Sequence, residues 1–125
     1  MRSKSFVHSL RCAAAGLIWG FRTQRNIRIQ FVIGLAVVPA AYMLKLPTTQ
    51  ILVLLLAIAL VLAAELFNTA VEATIDLVSP GVHPLAKVAK DAAAGGVLVA
   101  ASGAAAVGIF LFAPPLWSIL FPDGG

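Results

Sequence analysis

Four residues in the middle of the chain carry groups able to do chemistry at a spacing that brings them together. Glu65, Asn68, Glu72 and Asp76 stand at i, i+3, i+7 and i+11. At about 100° per residue they fall within roughly an 80° arc of one helix face. Shortly after come His83, Lys87, Lys90 and Asp91. The spacing predicts His83, Lys87 and Lys90 on one side of the next helix, with Asp91 at its flank. Carboxylates and an amide oxygen make a hard oxygen site suited to Mg²⁺, which usually keeps waters and takes further ligands from a substrate phosphate. The lysines supply charge for that phosphate. Such a set suits phosphoryl transfer from a phosphoanhydride donor, with one carboxylate taking the proton of an acceptor hydroxyl. The same groups can also conduct protons or cations, and spacing alone leaves both readings open. Neither a Walker A sequence nor a kinase-type GxGxxG loop is present.

The elements that must position these groups are almost wholly apolar. Of 125 residues 61% are hydrophobic and 11% charged, and the mean hydropathy is +1.00. That excludes a water-soluble fold and predicts an all-α integral membrane protein in one domain. Three spans are read at 29–46, 48–78 and 84–113. The first contains Pro39 and closes at Lys45 and Pro47. The second is continuously apolar over 51–64 and then gathers the four polar residues, so its helix should outrun the bilayer and extend beyond it. Residues 79–83 form the loop. The third span has Pro84 in its first turn, is apolar over 92–112 but for Ser102, and is expected to stop at Pro114 and Pro115. A short tail, 114–125, carries Trp117 and Phe121, aromatics suited to the membrane interface.

Ahead of the spans, residues 1–28 read as an amphipathic interfacial helix and adjoining segment. Phe6, Val7, Leu10, Ala13, Ala14, Leu17, Ile18 and Phe21 recur at helical spacing, with Arg2, Lys4, His8, Arg11 and Arg22 mostly elsewhere around the axis. No apolar stretch of the length a secretory signal requires separates Arg2 and Lys4 from Cys12. Six basic residues lie in this segment, and Lys87 and Lys90 follow the second span, against Lys45 alone in the first turn. The bias places the N-terminus and the second loop in the cytoplasm. The net charge of +4 is not interleaved with aromatics on a polar surface, so it points to lipid rather than nucleic acid. Cys12, the one cysteine, permits no internal disulfide. Small residues of the third span, among them Gly95, Gly96, Gly103 and Gly108, permit close helix contact and a packed homo-oligomer.

The stretch AELFNTAVE over 64–72, then Asp76, then HPLAKVAKD over 83–91 resembles the signature E-x-x-N-[ST]-A-[IV]-E, D, H-x-x-x-K-x-A-K-D of the prokaryotic diacylglycerol kinase and undecaprenol kinase family. The resemblance extends over essentially the whole chain. It implies a homotrimer of three-span subunits in the bacterial inner membrane, with active sites between subunits at the cytoplasmic surface. There the γ-phosphate of Mg-ATP would pass to a lipid hydroxyl. Carried to matching positions, Glu65 would be the general base and a contact to the lipid substrate, while Asn68 and Glu72 would hold metal and phosphate. Lys90 with Asp91 would bind the nucleotide, Lys87 would add charge for its phosphates, and Asp76 and His83 would support the site from the loop.

QRNIRIQ over 24–30 resembles the family's E-R-N-F-R-I-H run, with Gln24 where the family often has a metal-binding Glu, and Gln30 where it has His. An amide oxygen can still ligate, but the missing charge weakens metal binding or moves that duty to Glu72. Arg25 and Asn26 are placed on the nucleotide or the lipid headgroup. The HPLAKVAKD loop looks more like the undecaprenol kinase branch, and generic apolar residues leave diacylglycerol open as acceptor. The competing class is an ion or proton carrier, or an accessory subunit, relaying through Glu65 and Glu72. A relay wants carboxylates continued across the bilayer, and the outer halves of the three spans lack them.

Overall fold

A computed structural model describes residues 5–123 of the chain; Arg2 and Lys4 lie outside the described residues. It is all-helical: α1 (Phe6–Thr23), α2 (Arg25–Met43), α3 (Thr48–Val78) and α4 (Pro84–Leu120). The last three are each long and apolar enough to cross a membrane, so the chain is a multi-pass membrane protein. Leu98 is 68% exposed and Phe110 79% exposed on α4, a surface that only lipid or another protein can cover.

Each boundary has a local cause. Ser5 caps α1 by accepting the His8 N–H at 3.1 Å. At Gln24 the backbone is extended, with φ −108° and ψ 112°, which ends α1 at Thr23 and separates it from the residues that follow. Arg25, Asn26 and Arg28 belong instead to the first turn of α2, ahead of the expected start at 29. Hydropathy marks where the apolar run begins, and a polar first turn of the same helix is invisible to it. The end of α2 is a Schellman motif, with Leu46 N–H on Ala41 C=O at 3.1 Å and Lys45 N–H on Tyr42 C=O at 3.0 Å. Lys45 takes φ 57° to make it, and Leu46 completes the motif by packing against Ala41.

Helix α4 does not stop at the proline pair. It continues through Pro114 and Pro115 to Leu120, so most of the expected tail is helical. Two prolines remove two N–H donors but fix φ at a helical value. Beyond them Ser118 Oγ donates to Pro114 C=O at 3.2 Å, and the rings of Trp117 and Phe121 lie 4.5 Å apart.

Helix α3 is the hub, packing against α4, α2 and α1. A cluster of Ala41, Ile51 and Leu54, joined by Val37, Ile58, Val107 and Leu111, holds the bundle at the end away from the polar stripe. Close approach is set by glycine at two places. A Cβ on Gly34 would meet Ile58 Cγ2 at 3.0 Å, and one on Gly20 would meet Leu66 at 3.0 Å and Ile27 at 3.1 Å. Gly95, Gly96, Gly103 and Gly108 do no such work within the chain, since a Cβ there meets nothing within 4 Å.

Candidate active site

The polar stripe lies on about the last four turns of α3 and changes character along its length. Glu65 is the deepest member, 4% exposed, and no hydrogen bond reaches its carboxylate among the described residues. Next to it Thr69, 7% exposed, donates its hydroxyl to the Glu65 carbonyl at 2.9 Å. Burying an unpaired carboxylate costs several kcal/mol, roughly. Such a residue in a membrane helix is kept for a purpose. One turn on, Asn68 and Glu72 are half-buried, with Asn68 Nδ2 at 3.5 Å from Glu72 Oε1, the outer limit of a hydrogen bond. Asn68 Oδ1 is buried and, among the described residues, has no hydrogen-bond partner.

At the end of α3 the stripe opens into a cavity of about 300 Å³ around the α3–α4 loop, lined by Asp76, His83, Lys87, Lys90 and Asp91 among others. Two ion pairs order it. Lys90 Nζ reaches Asp76 Oδ1 across the loop at 2.6 Å, and Lys87 Nζ lies 2.5 Å from Asp91 Oδ2 on the same helix. His83 caps α4, its Nδ1 accepting the Leu85 N–H at 3.1 Å, and Pro84 follows as the first helical residue. All four charged side chains are well exposed. Surface pairs of this kind are worth about 0–1 kcal/mol, so an incoming phosphate can take either lysine at little cost.

The structure therefore gathers five of the expected site residues, Asp76, His83, Lys87, Lys90 and Asp91, around one cavity and holds Glu65, Asn68 and Glu72 on the helix that leads to it. A rise of about 1.5 Å per residue puts Asp76 roughly 16 Å from Glu65 along α3, with Glu72 between them. Gln24, Arg25 and Asn26 sit at the α1–α2 junction. Gln24 is half-buried and its Nε2 lies 3.4 Å from Thr23 Oγ1. Among the described residues no hydrogen bond or ion pair joins these three to the stripe.

Among the described residues no three of His, Cys, Asp and Glu converge on a metal position. The donor set still suits an ion that keeps waters and shares substrate phosphates, because Glu72 offers a carboxylate and Asn68 an unclaimed buried oxygen one turn away. Residue reading missed Thr69 as a member of the site, although it stands four residues after Glu65 and shares its face. Gln30, noted in the sequence as standing where the family has His, lines an otherwise apolar cavity of about 340 Å³ between α2, α3 and α4.

The profile of the prokaryotic diacylglycerol kinases matches residues 11–112, from α1 through nearly all of the apolar part of α4. The chain belongs to this family. Among its relatives, a diacylglycerol kinase of Synechocystis is 49% identical over 113 residues, which are 90% of this chain and 65% of that protein. An undecaprenol kinase of Bacillus subtilis is 39% identical over 90% of this chain and 89% of its own length. A diacylglycerol kinase of Pseudomonas aeruginosa is 32% identical over 70% and 72% respectively. The family match spans the stripe, the loop cavity and the α1–α2 junction together. An ion carrier or accessory subunit has no support from these relatives.

Proposed function

We propose that this diacylglycerol kinase family member is an ATP-dependent lipid kinase that moves the γ-phosphate of Mg-ATP to the hydroxyl of a membrane lipid, undecaprenol or diacylglycerol. The observation that carries the proposal is the course of α3. A buried carboxylate at Glu65 is joined by one helix face to a solvent-open cavity with two lysines. A lipid hydroxyl and a soluble nucleotide need that combination.

Glu65 takes the proton of the lipid hydroxyl as its oxygen attacks the γ-phosphorus, and the bond to the β–γ bridging oxygen breaks, releasing ADP. Depth keeps Glu65 away from water that would otherwise compete as acceptor. Lys87 and Lys90 exchange their carboxylate partners for the nucleotide phosphates, with Asp76, Asp91 and His83 holding the cavity's shape. Glu72 and Asn68 would hold the magnesium ion, aided weakly by Gln24, and the ion would supply neutralisation of phosphate charge. Arg25 contacts the nucleotide and Asn26 the headgroup. The acceptor's hydrophobic part lies in the apolar groove between α1 and α3 that borders Thr69.

The site faces the cytoplasm of a bacterial inner membrane, in line with the lysine and arginine bias. Helix α1 is amphipathic and rests at the interface, since all its residues but Gly20 are open in the single chain. A homotrimer accounts for the unfilled glycine face of α4 and supplies, from a second copy, the metal donors that one chain does not assemble. The test is phosphate transfer from γ-labelled ATP with Mg²⁺ to diacylglycerol and to undecaprenol, each in mixed micelles. Labelled lipid supports the reading and the product ratio gives the branch. No labelled lipid from a folded oligomer refutes it.

A further inference from the structure

One cation in the α1–α2 segment is used by none of the chemistry above. Arg28 Nη1 donates to two carbonyls at the end of α1, Phe21 O at 3.1 Å and Arg22 O at 2.9 Å. These belong to the last turn of α1, where helix carbonyls have no partner of their own and the dipole favours positive charge. Meanwhile the Arg28 backbone N–H bonds the Gln24 carbonyl at 3.3 Å. A single residue in α2 thus grips the chain on both sides of the extended Gln24. The grip is reinforced by Phe21 and Phe31, whose rings meet edge to face at 5.5 Å.

Helix α1 has little else to fix its direction. Gly20 is its one buried residue, seated against Leu66 of α3 and Ile27 of α2. That contact is a pivot close to the elbow, and the rest of α1 projects from it as a lever along α3. Between the lever and α3 runs an apolar groove of about 470 Å³ lined by Ala13, Gly16, Gly20, Leu66, Thr69 and Ala73. Its floor residue Thr69 is bonded to the Glu65 carbonyl. The angle at the elbow therefore sets the width of a groove that opens beside the buried carboxylate.

We infer that Arg28 is a positioning residue, a clamp on the α1–α2 elbow that holds the α1–α3 groove at the width the acceptor lipid needs. The inference rests on the lipid kinase reading for its kinetic consequence, but not for the clamp itself. Arg28 touches neither reactant, and its effect runs through α1. Loss of the clamp weakens use of the lipid most and leaves the distant lysine cavity intact, while Gln24 and Arg25 at the elbow carry a smaller part of the effect to the nucleotide.

The experiment reads both levels in the full-length protein in mixed micelles, with a nitroxide on Cys12, the one cysteine of the chain, exposed on α1. Arg28→Ala is expected to raise label mobility, to raise KM for the lipid about tenfold and to raise KM for ATP by a clearly smaller factor, through Gln24 and Arg25. Arg28→Lys, which keeps charge and one donor at a time, recovers part of each effect. Should the alanine variant fail to assemble, Arg28→Gln carries the same expectation. Unchanged label mobility on loss of the guanidinium overturns the clamp. A parallel rise in KM for ATP, or a fall in kcat alone, overturns the positioning role. If the unmodified protein phosphorylates no lipid, the lipid kinase reading and the kinetic consequence fail together, while the label still decides the clamp.

Discussion

Replacing Gly34 by alanine adds one methyl group where α2 lies tightest against α3. The new Cβ would stand 3.0 Å from Ile58 Cγ2, 3.7 Å from its Cδ1 and 4.0 Å from its Cγ1. Ordinary carbon contacts are about 3.5–4.0 Å, so one contact is too short by roughly half an ångström. Ile58 Cγ2 is attached directly to Cβ and retreats only by a change of χ1, which a β-branched residue in a helix resists. Overpacking of this kind costs about 1–3 kcal/mol, while Gly→Ala in a helix interior returns about 1 kcal/mol. The expected net effect is a loss of about 1 kcal/mol. Ile58→Leu moves the branch from Cβ to Cγ and removes the offending atom. Gly34→Ala with Ile58→Leu should therefore be more stable than the two single changes sum to, by about 1 kcal/mol or more. The assay is unfolding in mixed micelles titrated with sodium dodecyl sulfate, followed by circular dichroism. Gly34→Ala more stable than the parent by the full helix-propensity gain, with no coupling to Ile58, would refute the close approach of α2 and α3.

Four further outcomes follow from the site and the caps. Glu65→Gln is expected to keep the fold and ATP binding but to lower turnover by about 10²-fold or more, and near-normal turnover in the transfer assay removes Glu65 as the base. Gln24→Glu restores a charged donor and should lower the Mg²⁺ concentration for half-maximal rate; an unmoved titration takes Gln24 away from the metal. Lys90→Met should raise KM for ATP about tenfold with a smaller change in KM for lipid, and the reverse split places Lys90 on the acceptor side. Lys45→Gly relieves the left-handed strain at φ 57° and should stabilise the chain by about 0.5–1 kcal/mol on the detergent titration, whereas equal or lower stability argues against the Schellman turn.

The stripe on α3 was legible because two periods coincide there. A long apolar run announces a membrane helix, and the polar residues that interrupt it recur on one face at 100° steps. The loop residues were legible as opposite charges on neighbouring helices, which the Asp76–Lys90 pair brings to 2.6 Å. The elbow at Gln24 was not, because no glycine or proline marks it and its stability comes from Arg28, six and seven residues away from the carbonyls it caps. The end of α4 was misread for the opposite reason. Pro114 and Pro115 are strong stop signals in water, but their fixed φ is helical, and in a membrane span the carbonyls they free, those of Phe110 and Leu111, can be satisfied by neighbouring elements, so the helix continues. Glycine was ambiguous in the same way. Spacing cannot tell Gly34, which meets Ile58, from Gly103, which meets nothing in its own chain.

The length of α3 ties these parts to one task. Its 31 residues span about 46 Å against a hydrocarbon core of about 30 Å, so the helix crosses the boundary between lipid and water with several turns to spare. On the proposed reading Glu65 would meet the headgroup hydroxyl of a membrane lipid, and Asp76, about three turns further on, would stand where a nucleotide arrives from solution. A rigid helix between the two fixes their separation without any loop closure. The remaining freedom is sideways, in how far α1 stands from α3, and a site built this way would choose its acceptor through the α1–α2 elbow while the lysine cavity at the α3–α4 loop stays constant.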